Sequence, residues 1–159
     1  MPKVVLKNYK ANYENSPAIK NVLKYVMSVK DSKEPVDYWG TRGLLKDINH
    51  AYRVIDNMQK YLKSDYGKRL YHFSLSFPEE IKDERVIYII ANAIADYLGQ
   101  EYQLVFGVHM DTDNYHIHYA MNAVSYRTCL KWHKKNDEFP GWFKNIRKMA
   151  ENLLLEYGY

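Results

Sequence analysis

His109-Met110-Asp111-Thr112-Asp113-Asn114-Tyr115-His116-Ile117-His118-Tyr119-Ala120-Met121-Asn122 is the stretch on which the reading of this chain turns. Asp, Thr and Asn crowd its first half, as a turn requires, because short polar side chains hydrogen-bond the nearby backbone. The flanking runs, Tyr102–His109 and His116–Val124, are rich in β-branched and aromatic residues, so the pattern predicts a β-hairpin. Side chains two apart on a strand share a face, which puts His116 and His118 together. Closing the hairpin around residues 110–115 sets His109 opposite His116, with Cβ atoms roughly 5 Å apart. Gly107 then faces His118 and is expected to leave room for a ligand. Three imidazoles converging with coordination positions left open form the arrangement a catalytic divalent metal needs. Asp111 and Asn114 stand where a carboxylate or an amide orients a histidine through its other ring nitrogen.

Working outward, Leu70–Phe77 reads as another strand, ended by Pro78, and His72 on it is a candidate for the same sheet face. Four helices fit the remaining periodicity. The first runs from Ser16 to about Val29, with Ser16 as N-cap and Pro17 after it, and Ile19, Val22, Leu23 and Val26 form its apolar stripe. Tyr25 falls about 120° from Ile19 at 100° per residue, outside that stripe and beside Lys24. The second helix spans Asp47–Leu62, the third Lys82–Leu98 with Gly99 as C-cap, and the fourth about Gly141–Tyr157. A first strand at Lys3–Lys7, a loop holding Pro35, Gly40 and Gly43, and a short strand near Arg127–Lys131 complete the order. Strands mixed with helices in this way predict an α+β domain, a central antiparallel sheet flanked by helices with the histidines on the sheet.

Composition bounds the function. The 159 residues suit one domain, with 47% hydrophobic and 26% charged residues. No apolar run approaches the ~20 residues of a membrane span, so no membrane insertion is expected. The single Cys129 excludes an intrachain disulfide framework and a Cys-rich zinc site, which points to a reducing, cytoplasmic compartment. Net charge is only +4, but residues 1–63 hold 12 Lys/Arg against 6 Asp/Glu, and residues 64–126 hold 4 against 9. Basic ends around an acidic middle suit an anionic partner held near carboxylates. Sixteen tyrosines offer surfaces on which unpaired bases stack. A His-Glu-x-x-His helix, a Gly-rich phosphate loop and a Gly-x-Ser-x-Gly elbow are all absent from the sequence. From the residues alone, a three-histidine centre still admits hydrolysis, oxygen chemistry or phosphoryl transfer, and Tyr9, Tyr13 and Tyr38 compete with Tyr25 as nucleophile.

The quoted stretch closely resembles motif III of the relaxases, the mobilisation nucleases of conjugative plasmids and integrative elements, with the pattern His-x-Asp-x-x-Asn-x-His-x-His-x-x-x-Asn. Leu23-Lys24-Tyr25-Val26 resembles the nucleophile motif of the plasmid-mobilisation P-type branch. His72-Phe73-Ser74-Leu75-Ser76-Phe77-Pro78 resembles its DNA-contacting strand motif. The resemblance implies that Tyr25 attacks a scissile phosphate of single-stranded DNA at a transfer origin, giving a 5′-phosphotyrosyl protein and a free 3′-hydroxyl. His109, His116 and His118 would hold Mn2+ or Mg2+, with Zn2+ also suited to three nitrogens. Asp111 or His72 would take the phenol proton, and Asn114 and Asn122 would support the ligands. Lys24, Arg42, Ser76, Lys131, Lys134 and Lys135 are the candidates for positioning DNA, and one of Trp39, Trp132 and Trp142 is a candidate for stacking a base. Accessory origin-binding proteins and a coupling protein are the implied partners in a bacterial cytoplasm. Relatives often carry further regions after this domain, so residues 1–159 read as one catalytic domain, whole or the N-terminal part of a longer protein. Three rivals remain at this point: a replication initiator or single-strand transposase with Tyr157 or Tyr159 as nucleophile, a non-cleaving origin-binding module, and an unrelated three-histidine metal hydrolase acting on small molecules.

Overall fold

The hairpin is the centre of the fold. A computed structural model describes residues 2–132 and 138–159, with side chains for all of these except 138–142. In it β4 (Leu104–His109) and β5 (His116–Asn122) pair antiparallel with His109 opposite His116 and Gly107 opposite His118. β3 (Leu70–Ser76) flanks β5 on its other side, setting Ser74 against His118 and Ser76 against His116. β1 (Val5–Tyr9) and β2 (Tyr38–Arg42) are the edges of a five-stranded antiparallel sheet ordered β1-β3-β5-β4-β2. The histidine strands are therefore interior ones, held on both sides.

Strand alternation divides the sheet into two unlike faces. Tyr71, Phe73, Leu75, Phe106, Ile117, Tyr119 and Met121 pack under α3 (Glu84–Gly99) and α4 (Glu138–Glu156), against Ile87, Ile90, Ile94, Ile146 and Leu154. Leu70, Val105 and Ala120 face the other way and meet Ile19, Leu23, Val26, Ala51 and Ile55 of α1 (Ser16–Met27) and α2 (Ile48–Tyr61). The four stripe residues of α1 are all buried, each worth about 1.5–3 kcal/mol against exposure. This second core is the smaller, and it leaves His116, Ser76 and Lys7 lining an open cavity. Among the described residues, no helix is long and apolar enough to cross a membrane.

Several local expectations change. The loop expected after the first helix contains β2, which the sequence hid because an edge strand half-buried along its whole length shows no apolar alternation. Gly40 sits at its middle because a Cβ there would lie 3.0 Å from the Phe106 ring. Asn15, not Ser16, caps α1 by accepting from the Ala18 N–H, and the Ser16 hydroxyl donates instead to Asp56 at 2.6 Å. Gly99 is the last residue of α3 rather than its cap, and its missing Cβ admits the Arg42 side chain. The strand expected near Arg127–Lys131 is reduced to an isolated Val124–Lys131 bridge, since Cys129 at φ 57° breaks the extended chain.

Candidate active site

The three imidazoles meet as the register dictates. Their ring centroids lie 4.7 Å (His109–His118), 4.9 Å (His116–His118) and 5.2 Å (His109–His116) apart. One ligand atom from each lies within 4.8 Å of the others. The opposite nitrogen of each ring is already engaged. His109 Nε2–H donates to the Val26 carbonyl at 2.7 Å, and His116 Nδ1–H donates to the Asn114 carbonyl at 3.1 Å. His118 Nδ1 meets His72 Nε2 at 2.9 Å, and His72 Nδ1 meets the Tyr13 hydroxyl at 3.2 Å. With His118 donating to His72 and His72 donating to Tyr13, every ring in the chain is neutral, and each of the three presents a free lone pair.

Burial favours that neutral form. It lowers the pKa of His109, brings His72 down to about 4 and, with the neighbouring histidines adding their charge, brings His118 down to about 2. Neutral imidazole is the form that ligates, so the donor set fits a divalent cation with open positions for substrate oxygen.

α1 brings Tyr25 to this cluster through one close approach. A Cβ on Gly107 would lie 2.2 Å from the Val26 carbonyl oxygen, so only glycine lets the end of α1 settle on β4. The space beside His118 is thus filled by backbone rather than left for a ligand. Tyr25 precedes Val26, points off the apolar stripe at 51% exposure, and sets its ring 5.2 Å from His118, 5.7 Å from His72 and 6.3 Å from His109. Burial, then the charges of Tyr9, Asp111 and Asp31, hold its phenol above the ordinary value.

The other expected residues separate by position. Asp111 lines the same cavity of about 560 Å³ as Tyr25 and the three histidines, and among the described residues no hydrogen bond holds its carboxylate. Ser76 lines it too, while Lys24 lies on the exposed side of α1 next to Tyr25. Asn114 supports His116 through its backbone carbonyl, and its side chain ties the turn to Phe77 O. Asn122 is six residues along β5 from His116, buried in a network with Gln59 and Gln103 that lies away from the cluster. Arg42 is on the opposite face, bound to Asp96 and Asn92 of α3. Lys131 is bonded to the carbonyls of Tyr66 and Ser64 near the far end of β5. Lys134 and Lys135 lie outside the described residues. Tyr159 donates to Asp83 at the start of α3, and Tyr157 directly follows α4; both helices cover the sheet face opposite the histidines.

Sequence reasoning missed Lys7 and Ser74, and it had Tyr9 and Tyr13 only as rival nucleophiles. Lys7 and Tyr9 alternate on the β1 edge facing the cluster, and Tyr9 stacks on His72 at 4.0 Å. Ser74 pairs with His118, and Tyr13 takes φ 56°, a region that disfavours large side chains, with its hydroxyl on His72. The period-2 alternation of Val5, Lys7 and Tyr9 was the available signal, and it needed the β1–β3 register to be read.

Comparison with known proteins agrees with this geometry. Residues 25–159 match the family described as "Relaxase: MobA/VirD2-like, nuclease domain". No curated protein matches the chain. Among solved structures, one chain described as "Molecular Basis of Vancomycin Resistance Transfer in Staphylococcus aureus" superposes with a TM-score of 0.59. It is 12% identical, over 99% of this chain and 95% of that one, a likeness of fold alone. With the family match covering most of its length, the chain belongs to the MobA/VirD2-like relaxase nuclease domains.

Proposed function

We propose that this domain nicks and rejoins one DNA strand at a transfer origin, with Tyr25 as the nucleophile, so initiating conjugative transfer or mobilisation. The observation that carries the reading is the placement of Tyr25 over the three-histidine cluster by the Gly107–Val26 contact. His109, His116 and His118 would hold Mn2+ or Mg2+, with Zn2+ also compatible with three nitrogens. When bound, the cation draws charge from a phosphate oxygen and eases ionisation of the nearby phenol. Lys7, Ser74 and Ser76 line the path of the scissile strand, and Lys24 adds positive charge beside the nucleophile.

The Tyr25 oxygen attacks phosphorus as the phosphorus–O3′ bond breaks. The electron pair leaves on O3′, which takes up a proton, and the 5′ phosphate stays on the enzyme as a phosphotyrosine. Asp111 is the better acceptor for the phenol proton, because both nitrogens of His72 are engaged with His118 and Tyr13. His72 is then a positioning residue that holds His118. Attack by a 3′-hydroxyl on the phosphotyrosine reverses the step and conserves the ester energy.

Incubation with Mn2+ and a single-stranded oligonucleotide from the element's own transfer origin tests this. The expected products are a protein–DNA adduct on a denaturing gel and a fragment whose 3′-hydroxyl a polymerase extends, both abolished by chelator. Binding without an adduct would instead indicate a non-cleaving origin-binding module.

A further inference from the structure

A second cavity, of about 750 Å³, begins on the other side of Tyr25, between the end of α1, the loop of residues 28–33, β2 and the start of α2. Its volume lies within the range of small-molecule sites. Tyr25 and Lys30 line both cavities, so the two adjoin at the nucleophile, and the second is a groove leading away from it. Its cations outnumber its carboxylates: Lys24, Lys30, Lys33 and Lys46 against Asp31 and Asp47. Among the described residues no hydrogen bond or ion pair is recorded for Lys24, Lys30 or Lys33, in contrast to Arg42 and Lys131, which bind other parts of the protein. Positive charge is thus unclaimed along this stretch.

Trp39 gives the groove its chemistry. It stands opposite Gly107 on β2, an edge strand with no neighbour beyond it among the described residues, and is half-buried against the α1–α2 core. Lys46 places its ammonium 4.8 Å from the centre of the indole ring. A ring face covered by a lysine ammonium rather than by apolar side chains can take another flat, polarisable partner when the lysine swings aside. Trp132 is tucked against Tyr71 in the α3–α4 core, so it offers no comparable platform.

We propose that this groove binds a nucleotide flanking the scissile phosphate, its base stacked on Trp39 and its phosphates met by Lys24, Lys30, Lys33 and Lys46, with Lys46 moving off the ring as the base enters. The inference rests on the single-stranded DNA reading above and assigns a specific site to the strand. Base–aromatic stacking tolerates sequence, so Trp39 contributes grip, and selectivity comes from the shape of the pocket around it.

The test uses fluorescein-labelled dT12 in chelator, which separates binding from cleavage, and the same oligomer carrying 5-bromodeoxyuridine for photo-crosslinking. The intact protein should cross-link at Trp39 by mass spectrometry. Trp39→Ala should weaken binding roughly 5- to 100-fold. The surface double variant Lys24→Ala/Lys33→Ala should lower the slope of log K against log salt by about 1.4, and it decides the matter should Trp39→Ala fail to fold. Binding by the intact protein with cross-links elsewhere and an unchanged salt slope would overturn the pocket while leaving the nicking reading intact. No binding of single-stranded DNA at all would overturn both.

Discussion

Replacing Gly107 with alanine adds one methyl group where the structure has least room. The new Cβ would lie 2.2 Å from the Val26 carbonyl oxygen and 3.2 Å from its carbon, whereas ordinary contacts begin at 3.4 Å. The end of α1 must therefore retreat by about 1.2 Å. Overpacking of this kind costs about 1–3 kcal/mol. Loss of the 2.7 Å bond from His109 to Val26 O adds about 1 kcal/mol, so urea unfolding should report roughly 2–4 kcal/mol of destabilisation. The functional effect should exceed what stability explains. Tyr25 rides on the same helix end, and a misplacement of about 1 Å costs on the order of 100-fold in rate. Single-turnover adduct formation, measured where the variant is still fully folded, should fall by that factor while binding of single-stranded DNA changes little. A Gly107→Ala protein with normal stability and a normal adduct rate would refute the claim that this contact places the nucleophile.

Other consequences are simpler to test. Metal-free protein should lose stability as pH falls below about 6.5, because the unfolded chain takes up protons that His72 refuses until about pH 4 and His118 until about pH 2. Folded pKa values below the unfolded one mean that stability is greatest above pH 6.5, and denaturant melts between pH 5 and 8 should show that slope. Asp56→Asn should cost about 3 kcal/mol by leaving the buried Arg69 unpaired, read from a urea midpoint. Although burial alone would raise it, bonds from Lys60, Ser16 and Arg69 hold the Asp56 carboxyl at about 2, so this contribution is complete above about pH 4 and fades only as pH falls towards 2. Arg42→Ala and Lys131→Ala should leave affinity for single strands within twofold, whereas Lys24→Ala should weaken it and flatten its salt dependence.

Much of the centre was legible because its signals are local. The hairpin register follows from turn chemistry and period-2 alternation, so the meeting of His109, His116 and His118 could be drawn from the sequence alone. The apolar stripe of α1 likewise predicted that Tyr25 points away from the core. What stayed hidden depends on contacts between distant segments. Nothing near Val26 announces that its carbonyl, rather than Asp111, orients His109, nor that Gly107 is kept small for a helix end. The positions of Arg42 and Asn122, away from the histidines, were not legible because a side chain's type says nothing of which sheet face or strand end it occupies. Each is satisfied by partners on α3 or on the chain around Gln59 and Gln103. Lys7 carried no signal, and Tyr9 could not be set beside His72, until β1 was paired with β3.

The most direct test of the account is to map the covalent adduct. After reaction with Mn2+ and the origin oligonucleotide, nuclease trimming and peptide mass spectrometry should place a single nucleotide phosphate on Tyr25. Tyr25→Phe should form no adduct while retaining binding. A phosphotyrosine on Tyr157, Tyr159 or Tyr13, or an undiminished adduct in Tyr25→Phe, would contradict the central claim that α1 delivers the nucleophile to the three histidines.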